Sequence, residues 1–173
     1  MNRNKMFITV LICLLFVFTF TGCQKTLKGT DELIDKAREE LPVANAETID
    51  VQYAGMSVED DKALMWFISG NEYQNHYYLP MECEIIGEDE YAFGRNYNAM
   101  ERGDDIAVLQ WQGGYCFLVN NPNCCTIKIT GNVGGIGNTI DVTIEDDAYP
   151  YLYYYGLLPT EYVFLDAEGN EIS

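Results

Sequence analysis

The chain has 173 residues, 48% of them hydrophobic and 21% charged, with a formal net charge of −17. This is too apolar for a disordered chain and long enough for one domain whose core needs no metal or disulfide to hold it. So negative a surface repels phosphate backbones and anionic headgroups, which excludes nucleic acid as an expected partner.

Residues 1–22 have three parts in the order of an export signal. Arg3 and Lys5 give a basic start, Met6 to Phe20 is an apolar run relieved only by Thr9 and Thr19, and Thr21-Gly22 is a small-residue site. The run of 15 residues falls short of the roughly 20 that a spanning helix needs. Phe20-Thr21-Gly22-Cys23 resembles the lipobox of bacterial prolipoproteins, with Phe20 where that family more often has Leu. The resemblance covers only the first 23 residues. It implies that the Cys23 thiol receives diacylglycerol and that a dedicated signal peptidase cuts before Cys23. The membrane is then a partner through the lipid on Cys23, and the protein sits lipid-anchored on the extracytoplasmic face of the cell membrane. Two acyl chains on one residue anchor stably where a single chain is marginal. An ordinary secretory leader with an incidental Cys23 is the alternative. Cleavage leaves 151 of the 173 residues, and losing Arg3 and Lys5 takes the balance to 8 basic against 27 acidic, or −19.

Cys23 to Gly29 reads as a lipidated tether with a reach of roughly 24 Å, followed by a single β-rich extracytoplasmic domain over 30–173. Thr30 is placed to cap a helix with Asp31 and Glu32 in its first turn. Leu33, Ile34, Ala37 and Leu41 form one apolar stripe, and Pro42 ends it. This short amphipathic helix is expected to pack on its own domain, with a partner-binding helix as the alternative.

Beyond it the period changes from 3.6 to 2. Ile49, Val51 and Tyr53 alternate with Asp50 and Gln52; Met81, Cys83 and Ile85 alternate with Glu82 and Glu84. Ile127 and Ile129, then Ile140, Val142 and Ile144, do the same, so each stretch predicts a strand with one dry and one wet face. Ala63 to Ile68 is continuously apolar; Ser57 with Glu59 and Asp60 could cap a helix there, but Trp66, Phe67 and Ile68 favour a strand. Further strands are expected near 76–80, 90–96, 106–111, 115–120, 151–155 and 161–165. Turn signals at Gly87, Gly103, Gly113-Gly114, Asn121-Pro122-Asn123 and Asp166 to Asn170 separate them. The fold class expected is mostly β, an antiparallel sandwich or barrel-like domain with one short N-terminal helix. The ending Tyr162 to Ile172 resembles, generically, the closing hairpin of immunoglobulin-like bacterial modules.

Four cysteines remain once Cys13 leaves and Cys23 takes lipid. Export permits disulfides; adjacent Cys124 and Cys125 cannot bridge without strain, and Cys83 with Cys124 or Cys125 is the best pair, against buried free thiols. The single histidine, His76, excludes motifs that need two, and neither Ser57 nor Ser69 stands in G-x-S-x-G. Gly131, Gly134, Gly135 and Gly137 precede strand-period residues without G-K-[ST], so they read as a hairpin loop and not a phosphate cradle. The acidic groups Glu59-Asp60-Asp61, Asp104-Asp105, Glu145-Asp146-Asp147 and Asp166 to Glu171 could bind calcium, though a hairpin turn needs the same Asp and Gly. No metal or cofactor is assigned.

The chain carries 13 Tyr, 8 Phe and 2 Trp. Alternation puts Tyr151, Tyr153 and Tyr155 on one strand face, where exposed rings can meet a partner and packed ones form a cross-strand ladder. The functional expectation is a non-catalytic binding domain using Tyr151, Tyr153, Tyr155 and Trp111, with an envelope glycan or protein as partner. Its rivals are a carbohydrate-active hydrolase using paired carboxylates such as Asp104 or Asp105, and a structural envelope protein without ligand.

Overall fold

The structure is a computed structural model that describes residues 25–70, 77–98, 100–101, 105–133, 136–145 and 148–172. The leader, Cys23, His76, Asp104, Asp146 and Asp147 lie outside the described residues. The chain runs β1 (Thr26–Lys28), α1 (Gly29–Glu40), β2 (Val51–Glu59), β3 (Lys62–Ser69), β4 (Tyr77–Gly87) and β5 (Glu90–Asn96). It continues through β6 (Met100–Glu101), β7 (Ile106–Trp111), β8 (Gly114–Val119), β9 (Thr126–Val133), β10 (Ile136–Thr143), β11 (Tyr151–Tyr155) and β12 (Pro159–Leu165). All pairings between these strands are antiparallel, in three sheets ordered β1-β5-β4-β3-β2, β11-β8-β7-β6 and β10-β9-β12.

These sheets and α1 form four layers, with three apolar cores between them. Leu33, Ala37 and Leu41 of the helix stripe meet Val51, Ala63, Met65, Phe67, Leu79, Met81 and Cys83 on one face of the first sheet. The opposite face of that sheet presents Leu64, Trp66 and Ile68 to Ala107, Leu109, Cys116 and Leu118 of the second. Ile106, Val108, Phe117 and Val119, on the far face of the second sheet, meet Ile127, Ile129 and Phe164 of the third. The two inner sheets are therefore covered on both sides, and strands buried on both faces read as unbroken apolar runs. That is the reason Ala63–Ile68 shows no alternation, and it settles that segment as strand β3.

Three local expectations change. Thr26–Lys28 is not free tether: it pairs with β5, Thr26 opposite Ala92 and Lys28 opposite Glu90. Thr30 does not cap the helix, because α1 starts at Gly29 directly after β1, with no side-chain cap. Gly29 at φ +68 makes that strand-to-helix break, a conformation that suits glycine, while Glu32 accepts the Lys28 backbone N–H at 2.8 Å. The two stretches near 76–85 are one continuous strand, β4.

The thiols are free, and the layers explain it. Cys83 lies in the helix-side core, Cys116 between the first and second sheets, and Cys124 between the second and third. Packed sheets stand roughly 10 Å apart, whereas bridged Cβ atoms need about 4 Å. A bridge from Cys83 to Cys124 is thus excluded by the fold, Cys125 is free as well, and the thiols follow the alternative of free cysteines. Burial pushes the three thiols up, to about 11 for Cys83, about 12 for Cys116 and about 11 for Cys124.

Candidate functional site

The tyrosine row sits on β11, the outer strand of the second sheet. Register places Tyr151 opposite Val119, Tyr153 opposite Phe117 and Tyr155 opposite Tyr115, so all three face the third sheet. They are half-buried and pack against the core between the second and third sheets. Nearby, Phe117 and Tyr162 have ring centroids 5.1 Å apart and Tyr115 and Tyr162 5.8 Å apart, a cross-sheet aromatic cluster. Tyr155 reaches over Gly131 of β9, where a Cβ would come within 2.6 Å of its hydroxyl. Burial, then the neighbouring Tyr151 and Tyr155, raises the Tyr153 phenol above its ordinary value. The row is partly the packing ladder and partly an accessible aromatic surface.

Trp111 does not join it. Along β7 it alternates with Ile106 and Val108, so it points to the opposite face, toward the first sheet, and is only 2% exposed. The expectation of Trp111 as a surface contact residue is corrected accordingly. Its ring meets Tyr154 edge-on at 5.5 Å, and its Nε1–H donates to Glu82 Oε2 at 2.7 Å.

Glu82 is the residue that sequence reading placed wrongly. Strand alternation gives it a wet face, yet that face of β4 is covered by the second sheet and Glu82 is 8% exposed. Oε2 accepts Trp111, the Tyr97 hydroxyl at 2.8 Å and Gln112 Nε2 at 3.4 Å. Arg95 Nε lies 3.4 Å from Oε1 and its guanidinium sits 4.5 Å over the Tyr97 ring. Burial pushes the Glu82 carboxyl up, but the Trp111 and Tyr97 donations with the charges of Arg95 and Lys62 outweigh it, so the net shift is downward. A buried carboxylate whose acceptor sites are filled in this way stays ionised and is satisfied. It clamps two sheets together. A second polar tie, Tyr78 hydroxyl to Asp105 Oδ1 at 2.6 Å, joins β4 to the turn before β7. Asp105 is thereby occupied.

A shallow groove of about 210 Å³ opens between α1 and β1, lined by Lys25, Leu27, Glu32, Asp35, Lys36, Glu39 and Phe93. Lys36 lies 4.5 Å over the Phe93 ring and pairs with Glu40 and Glu39, with the Glu40 hydrogen bond the main cause of its raised pKa. The chain enters this groove at Lys25, two residues after Cys23.

The remaining candidates are absorbed by the fold. Ser57 is buried in β2, and Ser69 accepts the Tyr77 backbone N–H at 3.0 Å. Gly131 and Gly137 lie in the β9–β10 hairpin, which pairs from Val133–Ile136 outward. Asp166 caps the last turn, accepting the Glu168 and Asn170 backbone N–H groups at 3.0 and 2.7 Å and Asn170 Nδ2 at 3.0 Å, which lowers its pKa. Among the described residues no group of three His, Cys, Asp or Glu could hold a metal ion, and no helix is long and apolar enough to cross a membrane.

Compared with protein-family models, curated proteins and solved structures, the chain matches none.

Proposed function

We propose that the protein is a bacterial lipoprotein, held on the outer side of a cell membrane by lipid on Cys23, whose layered β domain binds a partner and performs no catalysis. The observation that carries this reading is Thr21-Gly22-Cys23 directly after a charged start and the apolar run of 15 residues that ends at Phe20. The acidic body agrees with it: a chain at −19 after cleavage has no attraction to an anionic bilayer and needs a covalent anchor to stay there. The binding half of the reading is supported by the half-exposed Tyr151, Tyr153 and Tyr155. Rings fixed by packing present contact area at low entropic cost, to an envelope glycan or protein.

Expression of the full chain in a bacterium tests the anchor. The expected product partitions into the detergent phase, and its amino-terminal peptide begins at Cys23 with diacylglycerol mass. Cys23→Ala should release it to the aqueous phase. A wild-type chain that is cleaved yet aqueous and unacylated would defeat the proposal. For the binding half, capture from envelope extract is compared between wild type and Tyr153→Ala, scored for glycan and for protein. Equal capture by both removes the tyrosine row from the reading.

A further inference from the structure

We infer that the anchor presents one defined side of the domain to an anionic bilayer: the α1 surface and the β1–β5 edge of the first sheet. This rests on the lipidation of Cys23 proposed above and adds an orientation to it. The domain does not hang on a long leash, because the sheet begins at Thr26, paired with Ala92. Cys23 and Thr26 are three residues apart, a reach of about 10 Å even when fully stretched. The first sheet is five strands wide with β1 and β2 at opposite edges, so its far edge lies roughly 19 Å away at 4.8 Å per strand. A link shorter than the body it holds cannot let both edges reach the bilayer equally.

Charge distribution favours the same side. Residues 25–41 carry four cations, Lys25, Lys28, Lys36 and Arg38, against the five carboxylates of Asp31, Glu32, Asp35, Glu39 and Glu40, for a net −1. Residues 42–173 carry the remaining four cations and 22 carboxylates, for a net −18. On the near side several carboxylates are neutralised in place: Lys36 with Glu39 and Glu40, Arg38 with Asp35, and Lys28 with Glu90 of β5. Counting Glu88, Asp89, Glu90 and Arg95 of the β5 edge with residues 25–41 makes the near side −3 and the rest −16. Within the Debye length of about 8 Å at physiological salt, the less charged α1–β1 surface approaches anionic lipid while the rest is pushed outward. β11 then lies against β2, the edge farthest from the tether, and the loop that follows it exposes Leu157 and Leu158 by 48% and 55%.

Photocrosslinking to phospholipid in native membranes tests this. Benzoylphenylalanine replaces one exposed residue at a time in the full chain: Asp35 and Glu39 of α1, which line the groove with Lys25 on the near side, Leu157 and Thr143 on the far side. Lipid adducts at Asp35 and Glu39 are expected to exceed those at Leu157 and Thr143 at least fivefold. Inserting ten Gly and Ser residues between Gln24 and Lys25 adds roughly 33 Å of reach and should bring that ratio near one. Equal or reversed yields in a chain whose Cys23 carries acyl mass overturn the orientation and leave the anchor standing, as does a ratio that the insertion does not move. An unacylated Cys23 with no adducts anywhere overturns both.

Discussion

Trp111→Phe should destabilise the protein far more than Trp66→Phe, although the two substitutions remove the same atoms. Trp111 Nε1 donates at 2.7 Å to the buried Glu82 carboxylate, and a hydrogen bond to a charged group contributes about 1.5–3 kcal/mol. The smaller ring adds about 1 kcal/mol of lost packing, for a cost of about 2.5–4 kcal/mol. Spread over a body of this size, that lowers Tm by on the order of 10 °C. Trp66 is equally buried, but its Nε1 has no hydrogen-bond partner. Removing that donor relieves a penalty of about 1–3 kcal/mol against the same packing loss of about 1 kcal/mol, leaving Trp66→Phe between neutral and about 2 kcal/mol more stable than wild type. Urea and thermal unfolding at pH 7 measure both, and the double substitution with Glu82→Gln measures the coupling. If the two tryptophan variants unfold at the same midpoint, Glu82 is not the clamp described.

Three further outcomes follow from particular contacts. Glu82 has a folded pKa below its ordinary 4.5, so its stabilisation is present above that value and lost as pH falls through the lower, folded one; urea midpoints between pH 6 and 3 should therefore drop more steeply in wild type than in Glu82→Gln. At pH 8 an alkylating reagent should modify the half-exposed Cys125 first and leave Cys83, Cys116 and Cys124, with pKa near 11, 12 and 11, unmodified until urea unfolds the chain, as mapped by peptide mass. Gly131→Ala places a Cβ at 2.6 Å from the Tyr155 hydroxyl and should cost about 1–3 kcal/mol; Tyr155→Phe in the same chain, read by thermal unfolding, should restore most of it.

Much of the fold is legible in the side-chain period. The segments Val51–Tyr53, Met81–Ile85, Ile127–Ile129 and Ile140–Val142 lie in strands as alternation requires, and Leu33, Ala37 and Leu41 turn inward from α1. Period reports whether a strand has one dry face or two, but not what lies against it. Stacking three sheets is a long-range property, and it decides which faces are covered. Glu82 reads as wet and is buried for that reason; Trp111 reads as an exposed anchor and is a donor within the core. The cysteines show the same limit, since Cys83 and Cys124 both point inward, but into different interiors. Of the tyrosine row, the shared face was legible and the depth was not, because depth depends on Gly131 and on the third sheet above it.

The path of the chain through its layers ties two of them together. The first sheet is complete by Asn96, from one contiguous stretch. The second and third are stitched: the chain leaves β8 to build the β9–β10 hairpin, returns to the second sheet as β11, then crosses again as β12. Neither can be finished before the other is half made. The C-terminal portion is therefore expected to melt as one cooperative block, on the platform of an N-terminal sheet that is closed within its own stretch of chain.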